Sequence, residues 1–332
     1  MTPAPVQSPD LIVVGSYNLD IGIRVPRFPL PGETLAALDL VQSDGGKGSN
    51  QAVQAARLGT RVGMIAAVGD DAAGQAARQL WNREAIDTTR VVVHDATPTG
   101  TAFITVNAAG ENQIVIVAGA NAALLPAHLA DAQTMLRSAR LVLAQLEVPL
   151  VTLVSAFGTA RDAGAITVLN AAPVIESSLT ELLALTDFLI VNESEAHALV
   201  AQLCTGSEPL ATAALPDGVT DDPHDPIATG YALAAVLIES VDRGVIITLG
   251  AQGAILLLAD QSLVHLPAPA TEVVDTTGAG DAFAGAFAAD LIRHGRPADA
   301  LELGVRAGSH ACRSRGAVPS LGRRGDLDHA GR

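Results

Sequence analysis

The sequence predicts an α/β fold: a doubly wound, mostly parallel sheet flanked by helices, with a small β-sheet lid. Short apolar runs of the kind found in strands buried on both faces recur along the chain. From about residue 120 these runs alternate with helical segments, an order typical of a parallel sheet covered on both faces. A second group of strand-like runs has no helices between its members, which indicates a separate, smaller sheet.

The large sheet is predicted to begin with buried strands at residues 11–16 and 61–69. A helix over residues 51–58 precedes the second strand, and a helix ending at Trp81 follows it. Further strands are predicted at residues 141–146, 166–169, 188–191 and 245–249, with a hairpin at 250–267. Because ligands of open α/β sheets bind beyond the carboxyl ends of the strands, we expect one active-site edge. The polar residues that mark it are Asn18, Asp20, Glu147, Asn192 and Asp275.

The lid is predicted from residues 21–44 and 88–118. Prolines and a glycine interrupt alternating apolar positions in the first segment, and the second contains three strand-like runs with a hairpin turn at 109–112. The main domain takes the rest of the chain: residues 1–20, 45–87 and 119–332. Residues 204–228 are rich in Pro, Asp and Gly and predict a surface insertion.

Composition limits the function classes. The 332-residue chain carries a net charge of −15, which argues against a general nucleic-acid or anionic-membrane binder. Its two cysteines form no disulfide framework, and its eight histidines show no zinc-binding spacing. Neither a signal peptide nor a membrane-spanning run is recognisable. We expect a soluble, cytoplasmic protein that binds no nucleic acid and no membrane.

The stretch from Val273 to Ala286, VVDTTGAGDAFAGA, is predicted to carry the chemistry. A strand end at Val273–Val274 leads through Gly278-Ala279-Gly280 into a helix over residues 282–294. Glycine amides at a helix start form a cradle for phosphate, and Asp281 projects from the first turn into the same place. An anion hole beside a carboxylate is what phosphoryl transfer to an alcohol requires. The alternative is an ordinary strand–helix turn, whose acidic residue is favoured by the helix dipole alone.

The only lysine of the chain, Lys47, lies between glycines in Asp44-Gly45-Gly46-Lys47-Gly48 at the start of a predicted helix. This segment is not a Walker A loop, but it is glycine-rich backbone with a cation, and Asn50 follows one turn later. A composition that otherwise avoids lysine indicates a specific role for Lys47. Chance placement is the alternative.

Together these segments resemble the ribokinase family of PfkB-type sugar kinases over about residues 10–320. The motifs that carry the resemblance are GSYNLD (15–20), FPLPGET (28–34), GGKGSNQA (45–52), GDD (69–71), AGANAAL (118–124), QLE (145–147), NESE (192–195), TLGAQG (248–253), DTTGAGDAF (275–283) and GAVPS (316–320). The resemblance implies transfer of the γ-phosphate of ATP to the 5-hydroxyl of D-ribose, with Mg²⁺ and an activating monovalent cation, K⁺. It also implies a β-lid that covers the substrate and forms a homodimer contact.

The resemblance also assigns site residues. Asp281 corresponds to the catalytic base, and Gly278, Ala279 and Gly280 correspond to the anion hole. The implied sugar contacts, besides Asp281, are Asn18, Asp20, Gly46, Lys47, Asn50 and Glu147. The implied ATP contacts are Asn192, Glu195, Thr248, Gly250, Gly253 and Gly280. Glu195 would hold Mg²⁺ through water, and the monovalent-cation site would be formed by Asp275, Thr277, Arg313, Gly316 and Ser320.

Several features depart from the family pattern. The family's Asn-Pro-Ala-Pro is Asn170-Ala171-Ala172-Pro173 here, and the insertion at residues 204–228 is longer than usual. Val305 falls where Asn or His often touches the adenine, which leaves the adenine contacts open. Tyr17 and Leu19 are bulkier than the family's common residues, and we expect them to narrow or reshape the sugar pocket.

Three other functions are open at this point. A related kinase for deoxyribose, a ketohexose or a nucleoside would share these motifs. A non-catalytic sugar sensor could use the same fold, although the intact segment from Gly278 to Asp281 argues against it. A nicotinamide-binding oxidoreductase is disfavoured, because the first strand lacks the GxGxxG pattern.

Overall fold

A computed structural model describes residues 8–204 and 225–328 of the chain. The insertion predicted at residues 204–228 therefore lies almost wholly outside the described residues. Within those two ranges, no helix combines the length and the apolar character needed to cross a bilayer.

The strands of the described residues form two sheets. They are β1 (Leu11–Val14), β2 (Asn18–Arg24), β3 (Asp39–Gly45), β4 (Val62–Gly69), β5 (Asp87–His94), β6 (Gly100–Val106), β7 (Asn112–Val117), β8 (Leu141–Gln145), β9 (Ile166–Asn170), β10 (Phe188–Asn192), β11 (Gly244–Thr248), β12 (Ala254–Leu258) and β13 (Leu263–Leu266). The large sheet has nine strands in the order β13-β12-β11-β10-β9-β8-β1-β4-β5, and the small sheet has four in the order β3-β2-β6-β7.

The large sheet is parallel from β5 to β11, and its last two pairings, β11–β12 and β12–β13, are antiparallel. The chain leaves the central strand β1 first toward β4 and β5, then returns to β8 on the other side and continues outward. The strand order thus reverses between β1 and β8, and such a reversal is where doubly wound sheets bind their ligands. The predicted doubly wound sheet is confirmed, as is its terminal hairpin.

Helices connect the strands and cover both faces of the large sheet. They are α1 (Lys47–Arg57), α2 (Ala72–Arg83), α3 (Gln133–Ser138), α4 (Leu150–Asp162), α5 (Thr180–Leu183), α6 (Glu193–Leu203), α7 (Pro226–Leu237), α8 (Ala279–His294), α9 (Pro297–Ala311), α10 (Ala317–Ser320) and α11 (Arg324–Asp328). Short 3₁₀ turns lie at Gly119–Ala123, Pro126–Leu129, Ile238–Ser240 and Gly250–Gln252.

The central strand β1 is buried on both faces, and its alternate residues face two different cores. Leu11 and Val13 belong to the core formed with α1, α2, α8 and α9. Ile12 and Val14 belong to the core on the opposite face, formed with α3 to α7. Because only 3% of the chain is aromatic, both cores consist mainly of aliphatic side chains.

The small sheet takes its strands from the segments predicted for the lid, but the boundaries differ. The prediction that residues 88–94 belong to the lid is wrong, because β5 pairs in parallel with β4 at the edge of the large sheet. Parallel neighbours need a crossover connection, and α2 supplies it between these two strands. Asn18, Asp20 and Gly45, assigned to the main domain, lie instead in the lid strands β2 and β3, where Asn18 pairs with Gly45.

The strand end predicted at Val273–Val274 is not formed. Both side chains are more than half exposed, and the Val274 N–H donates a hydrogen bond to the carbonyl of Cys312 at 2.8 Å. The segment has no strand partner among the described residues, so its apolar pair alone does not make it a strand. It approaches α8 as a loop tethered just beyond the end of α9.

Helices α1 and α8 pack so closely that their contact requires a glycine. A Cβ at Gly285 of α8 would lie 2.5 Å from the carbonyl oxygen of Gln51 and 2.9 Å from the Cβ of Gln54. Both distances are too short for real Cβ atoms, so only glycine lets the helices meet there. This contact brings side chains of α1 to the beginning of α8.

Alanine at position 285 should destabilise the protein, although alanine favours helices. We expect Gly285→Ala to lower the free energy of unfolding by about 1–3 kcal/mol, because the added methyl group forces α1 and α8 apart. Gly158 inside α4 is the matched control, since a Cβ there would meet nothing within 4 Å. Gly158→Ala should raise the free energy of unfolding by about 0.5–1 kcal/mol through helix propensity. Urea denaturation followed by Trp81 fluorescence measures both, and equal effects would contradict the close packing.

Candidate active site

The carboxyl ends of β1 and β8 lie on either side of the reversal in strand order. Ser16 follows β1 and Glu147 follows β8. The Oε2 of Glu147 accepts hydrogen bonds from the hydroxyl of Ser16 and from the backbone N–H of Lys47, the second at 2.9 Å. A carboxylate at a helix N-terminus is also favoured by the helix dipole. Glu147 therefore joins both strands to the start of α1.

Glycine is required where α1 begins. Gly46 precedes the helix with a φ of 87°, and a Cβ there would lie 2.6 Å from both the backbone nitrogen of Asn18 and the Cα of Tyr17. Only glycine combines this left-handed conformation with such a close approach. The start of α1 can therefore lie directly against Tyr17 and Asn18, where the chain enters β2.

Lys47, the first residue of α1, is surrounded by carboxylates. Burial lowers the pKa of Lys47, but the negative charges of Asp281, Glu147 and Glu195 outweigh this effect and raise the pKa above its ordinary value. None of the ion pairs among the described residues includes Lys47. Its ammonium group thus stays charged and is available to a ligand.

Asp20, in the lid strand β2, faces the same cluster. Its burial, together with the charges of Glu147, Asp281 and Asp44, raises the pKa of Asp20 to about 7. The side chain therefore changes its charge near neutral pH. Hydrogen-bond donors on a ligand would favour its ionised form.

Asp281 lies in the first turn of α8 and is only 7% exposed. Its Oδ2 accepts a hydrogen bond from Nδ2 of Asn50 and its Oδ1 accepts one from Nε2 of Gln51, both at 2.9 Å. Gly278 precedes the helix with a left-handed φ of 79°, and a Cβ there would lie 3.0 Å from Ala317. The fold thus brings Asp281 together with the polar residues at the start of α1.

The backbone amides predicted for the anion hole lie at the start of α8. The Ala279 N–H donates to the carbonyl of Thr276 at 3.1 Å, inside the turn that starts α8. Ala279 and Gly280 both line a cavity, whereas the side chain of Asp281 turns to α1. The tip of α8 therefore borders the cavity with its backbone and the polar cluster with its carboxylate.

This cavity, of about 540 Å³, lies between the end of β11 and the helices α8 and α9. Its walls include Phe283 of α8 and Val305 of α9, and its size suits a small-molecule site. Four residues predicted to contact ATP line it: Thr248, Gly250, Gly253 and Gly280. Val305, predicted to fall near the adenine, lies in the same wall.

Asn192 and Glu195, the other predicted ATP contacts, cap the start of α6. The Oδ1 of Asn192 accepts from the Glu195 N–H at 2.8 Å, and the Oε2 of Glu195 accepts from the Asn192 N–H at 2.9 Å. Burial raises the pKa of Glu195, although the hydrogen bond from Asn192 and the charge of Lys47 act in the opposite direction. Glu195 therefore shares one electrostatic cluster with Lys47 and Asp281.

Asp275 organises the loop before α8. Its Oδ1 accepts from the N–H and the hydroxyl of Thr277, and its Oδ2 accepts from the N–H of Gly316, at 2.7 to 2.9 Å. Burial raises the pKa of Asp275, but these hydrogen bonds outweigh it and hold the pKa below its usual range. Of the other residues predicted for the monovalent cation, Ser320 is buried in α10 and Arg313 is exposed just after α9. Within the described ranges, no group of three or more His, Cys, Asp or Glu side chains could hold a metal ion.

Four buried amide residues of this region were not among the predicted site residues: Gln51, Asn121, Gln145 and Asn170. Asn121 binds both the N–H and the carbonyl of Tyr17 and donates to the Oδ1 of Asn18. Three of the four lie in motifs that carry the family resemblance, and Asn170 directly follows the strand predicted at residues 166–169. Only the fold shows that their side chains turn inward.

Tyr17 was expected to narrow or reshape the sugar pocket, but its side chain is fully buried in the core. The ring packs edge-on against Trp81 with 5.8 Å between centroids, and the hydroxyl donates to the Oδ1 of Asp44 at 2.7 Å. Burial and this hydrogen bond raise the pKa of Tyr17. Tyr17 therefore links α2 of the main domain to the lid strand β3.

Comparison with known proteins gives one consistent family. Residues 8–322 match the model of the pfkB family carbohydrate kinases. The chain is 35% identical to a ribokinase of Haemophilus influenzae, with 96% of this chain and 99% of the relative covered. It is 34% identical to a deoxyribokinase of Salmonella typhi, with 89% and 90% covered.

Solved structures agree with the sequence comparison. The fold is similar to that of an Arabidopsis thaliana ribokinase complexed with ribose and ATP, with a TM-score of 0.84 and 29% identity. That similarity covers 98% of this chain and 99% of the other. The chain therefore belongs to the pfkB family of carbohydrate kinases and is a phosphotransferase that acts on a sugar hydroxyl.

Proposed function

We propose that the protein transfers the γ-phosphoryl group of ATP to the 5-hydroxyl of D-ribose, giving ribose 5-phosphate and ADP. The observation that carries the proposal is the position of Asp281, whose carboxylate joins the polar cluster while Ala279 and Gly280 line the cavity. One helix tip therefore borders both the cavity and the polar cluster, so a nucleotide phosphate and a sugar hydroxyl could meet there. The similarity to ribokinases, one of them complexed with ribose and ATP, supports these two substrates.

In the proposed reaction the 5-hydroxyl oxygen bonds to the γ-phosphorus, and the bond from that phosphorus to the β–γ bridging oxygen breaks. The hydroxyl proton passes to the carboxylate of Asp281, and the electron pair of the broken bond leaves with ADP. Each oxygen of Asp281 accepts one amide hydrogen bond and keeps a lone pair for the hydroxyl. Gly280 would offer its backbone N–H to the phosphoryl group at the helix tip, where negative charge develops.

Sugar recognition is proposed to take place in the cleft at the start of α1. The Oδ1 of Asn50 is buried and has no hydrogen-bond partner among the described residues, so it offers an acceptor to a sugar hydroxyl. Lys47 offers donors, and Glu147 near it and Asp20 on the lid side of the same cluster offer acceptors. Asn18 reaches the same cleft, with its Oδ1 held by Asn121. A sugar lacking a matching hydroxyl would leave a buried polar group unpaired and lose affinity.

The nucleoside part of ATP is proposed to occupy the 540 Å³ cavity. Thr248 and Gly250 would line its phosphate-side wall, and Val305 would give the adenine an apolar contact in place of a polar one. Cys312 also lines the cavity, and both cysteines of the chain are free thiols. We propose that the protein is cytoplasmic, because it would need ATP and because free thiols are typical of a reducing compartment.

Two ions belong to the proposal. Mg²⁺ held through water near Glu195 would neutralise charge on the phosphates. K⁺ is proposed beside Asp275, whose carboxylate is held by Thr277 and Gly316 where the chain enters α8. There the cation would order the loop that leads into Gly278.

Deoxyribose is the alternative substrate with a specific observation in its favour. The deoxyribokinase of Salmonella typhi is 34% identical to this chain, nearly the same as the 35% of the Haemophilus influenzae ribokinase. The two pentoses differ by one hydroxyl, so the choice depends on whether a polar group of the cleft pairs with it. ADP release with ribose, deoxyribose and fructose, with and without K⁺, separates these substrates. Preference for deoxyribose or fructose would overturn the assignment to ribose.

The lid is also proposed to form a homodimer contact. Ile21, Phe103 and Val115 pair directly across β2, β6 and β7 and so share one face of the small sheet. Phe103 is 38% and Val115 is 64% exposed. Asp20, next to Ile21, points to the opposite face, where the active-site cluster lies. We propose that a second copy of the lid covers this apolar face, as in a two-fold symmetric dimer.

Replacing Asp281 by alanine should stop turnover and spare ATP binding. We expect Asp281→Ala to lower kcat by roughly 10²–10⁴-fold, the range that a general base contributes. Asp290→Ala is the matched control, because Asp290 is equally buried in α8 but lies nine residues, about 13 Å, further along the helix. ADP release measures turnover, and nucleotide titration measures binding. Near-wild-type turnover in Asp281→Ala would reject the assignment.

The raised pKa of Asp20 should make the stability of the ligand-free protein depend on pH. Folding raises this pKa from 3.8 to about 7, so the folded state keeps a proton that the unfolded chain releases. The contribution of Asp20 to stability therefore falls as pH rises between these two values. Asp20→Asn removes this effect, so its unfolding temperature relative to wild type should rise from pH 5 to pH 8.

The control for this measurement is Asp39→Asn, which removes one negative charge from an exposed position of β3. Thermal unfolding across the pH range compares the three proteins. A difference between Asp20→Asn and wild type that stays constant with pH would show that the pKa of Asp20 is not raised.

A charge on the apolar face of the lid should dissociate the proposed dimer. We expect Val115→Lys to be a monomer, because the dimer contact would bury an unpaired ammonium group, which is costly. Light scattering measures the molar mass. Val174→Lys is the matched control, since Val174 is 52% exposed but lies outside the small sheet. It should stay a dimer. A monomeric wild-type protein at micromolar concentration would refute the contact.

A further inference from the structure

A group of buried amide side chains lies behind Asp281, beyond the implied sugar contacts. Gln51 of α1 is fully buried, and its Nε2 donates one hydrogen bond to the Oδ1 of Asp281 and another to the Oδ1 of Asn170, both at 2.9 Å. Its Oε1 accepts a hydrogen bond from the Nε2 of Gln145 at 2.6 Å. Both N–H groups and the carbonyl of the Gln51 amide are therefore in use.

The direction of these hydrogen bonds is set by groups that can only accept. At one end the backbone carbonyl of Ile190 accepts from the Nδ2 of Asn170 at 3.1 Å, which leaves the Oδ1 of Asn170 facing Gln51. At the other end stands the carboxylate of Asp281. Gln51 lies between two acceptors, so its NH₂ group must face both of them. A flipped amide would set its carbonyl oxygen against the carboxylate, so only one orientation is satisfied.

The plane of the Asp281 carboxylate is fixed only if each of its two oxygens accepts a hydrogen bond. The last torsion of an aspartate side chain has broad minima, so a single hydrogen bond would leave the carboxylate free to rotate. Asn50 holds Oδ2 and Gln51 holds Oδ1. The two amides, from consecutive residues of α1, thus fix which lone pairs of Asp281 point into the cleft.

We infer that Gln51 is a positioning residue that orients the carboxylate of Asp281 to receive the proton of the sugar hydroxyl. The Oδ1 of Asn50 has no hydrogen-bond partner among the described residues and can pair with a ligand, whereas both N–H groups and the carbonyl of the Gln51 amide already have protein partners. Gln51 therefore acts through Asp281 and not by touching a substrate. This inference rests on the proposed phosphoryl transfer, because the orientation matters only where Asp281 accepts a proton.

The test replaces Gln51 by methionine, which keeps the length of the side chain but has no amide. We expect Gln51→Met to lower kcat by roughly 10–100-fold, the cost of a small misplacement of a reacting group. The dissociation constants of ribose and ATP should stay near those of wild type. Gln54→Met is the matched control, because Gln54 is also fully buried in α1 but donates to the carbonyl of Gly322 at 3.0 Å. Its kcat should stay near wild type.

A double-mutant cycle separates positioning from general damage. In the Asp281→Ala background, Gln51→Met should cause no further loss of kcat, because the carboxylate that it orients is gone. A loss by the same factor in both backgrounds would overturn the inference. Equal effects of Gln51→Met and Gln54→Met on kcat would overturn it as well.

A second variant covers the case in which Gln51→Met does not fold. Gln51→Glu keeps the shape of the side chain but sets a carboxyl group against Asp281, and it should also lower kcat more than Gln54→Glu does. If the kcat of Gln51→Glu equals that of the wild-type protein, the inference is overturned and the proposed function stays intact. Absence of turnover by the wild-type protein with every sugar would refute the proposed function itself, and the inference with it.

Discussion

The concentration of negative charge on buried and half-buried carboxylates around a single ammonium group constrains the whole site. Glu147, Glu195 and Asp281 act on Lys47, and Asp20 lies close enough to Glu147 and Asp281 to feel their charges. Burying carboxylates costs free energy unless hydrogen-bond donors compensate. The fold supplies donors from the start of α1 to Glu147, from the cap of α6 to Glu195 and from two amides of α1 to Asp281. None of these donors reaches Asp20, and burial together with the neighbouring carboxylates raises its pKa to about 7.

This arrangement depends on the sheet topology and on one helix contact. Because β1 and β8 are parallel neighbours, the residues that follow them reach the same edge, and the reversal of strand order leaves a crevice in which α1 can start. The close approach at Gly285 then holds α1 against α8, so that amides of one helix reach the carboxylate of the other. The packing of α1 against α8 therefore also sets the geometry of the site, since a shift of either helix would separate Asp281 from its hydrogen-bond partners Asn50 and Gln51.

Features that are local in the sequence could be predicted, and features set by distant pairing could not. The alternation of apolar runs and helices, the glycine-rich helix starts and the place of Asp281 in a first turn are all local. The strand β5 looks like a lid strand by itself, and only its pairing with β4 assigns it to the large sheet. Gln51 is an ordinary buried helix residue until its partners Asn170 and Asp281, 119 and 230 residues away, are known.

The tip of α8 solves an electrostatic problem that the proposed reaction poses. A highly anionic phosphate donor and a cluster of carboxylates would repel each other in one open compartment. Here the backbone of Ala279 and Gly280 faces the cavity, and the positive end of the helix dipole favours phosphate on that side. Asp281 faces away from the cavity, toward α1, and its carboxylate is held by two neutral amides. These amides orient the carboxylate without neutralising its negative charge, as a directly paired cation would. Lys47 keeps its charge without pairing directly with any described carboxylate, so its ammonium remains for the ligands. A carboxylate base can thus stand next to an anionic donor, which is what transfer to a neutral hydroxyl demands.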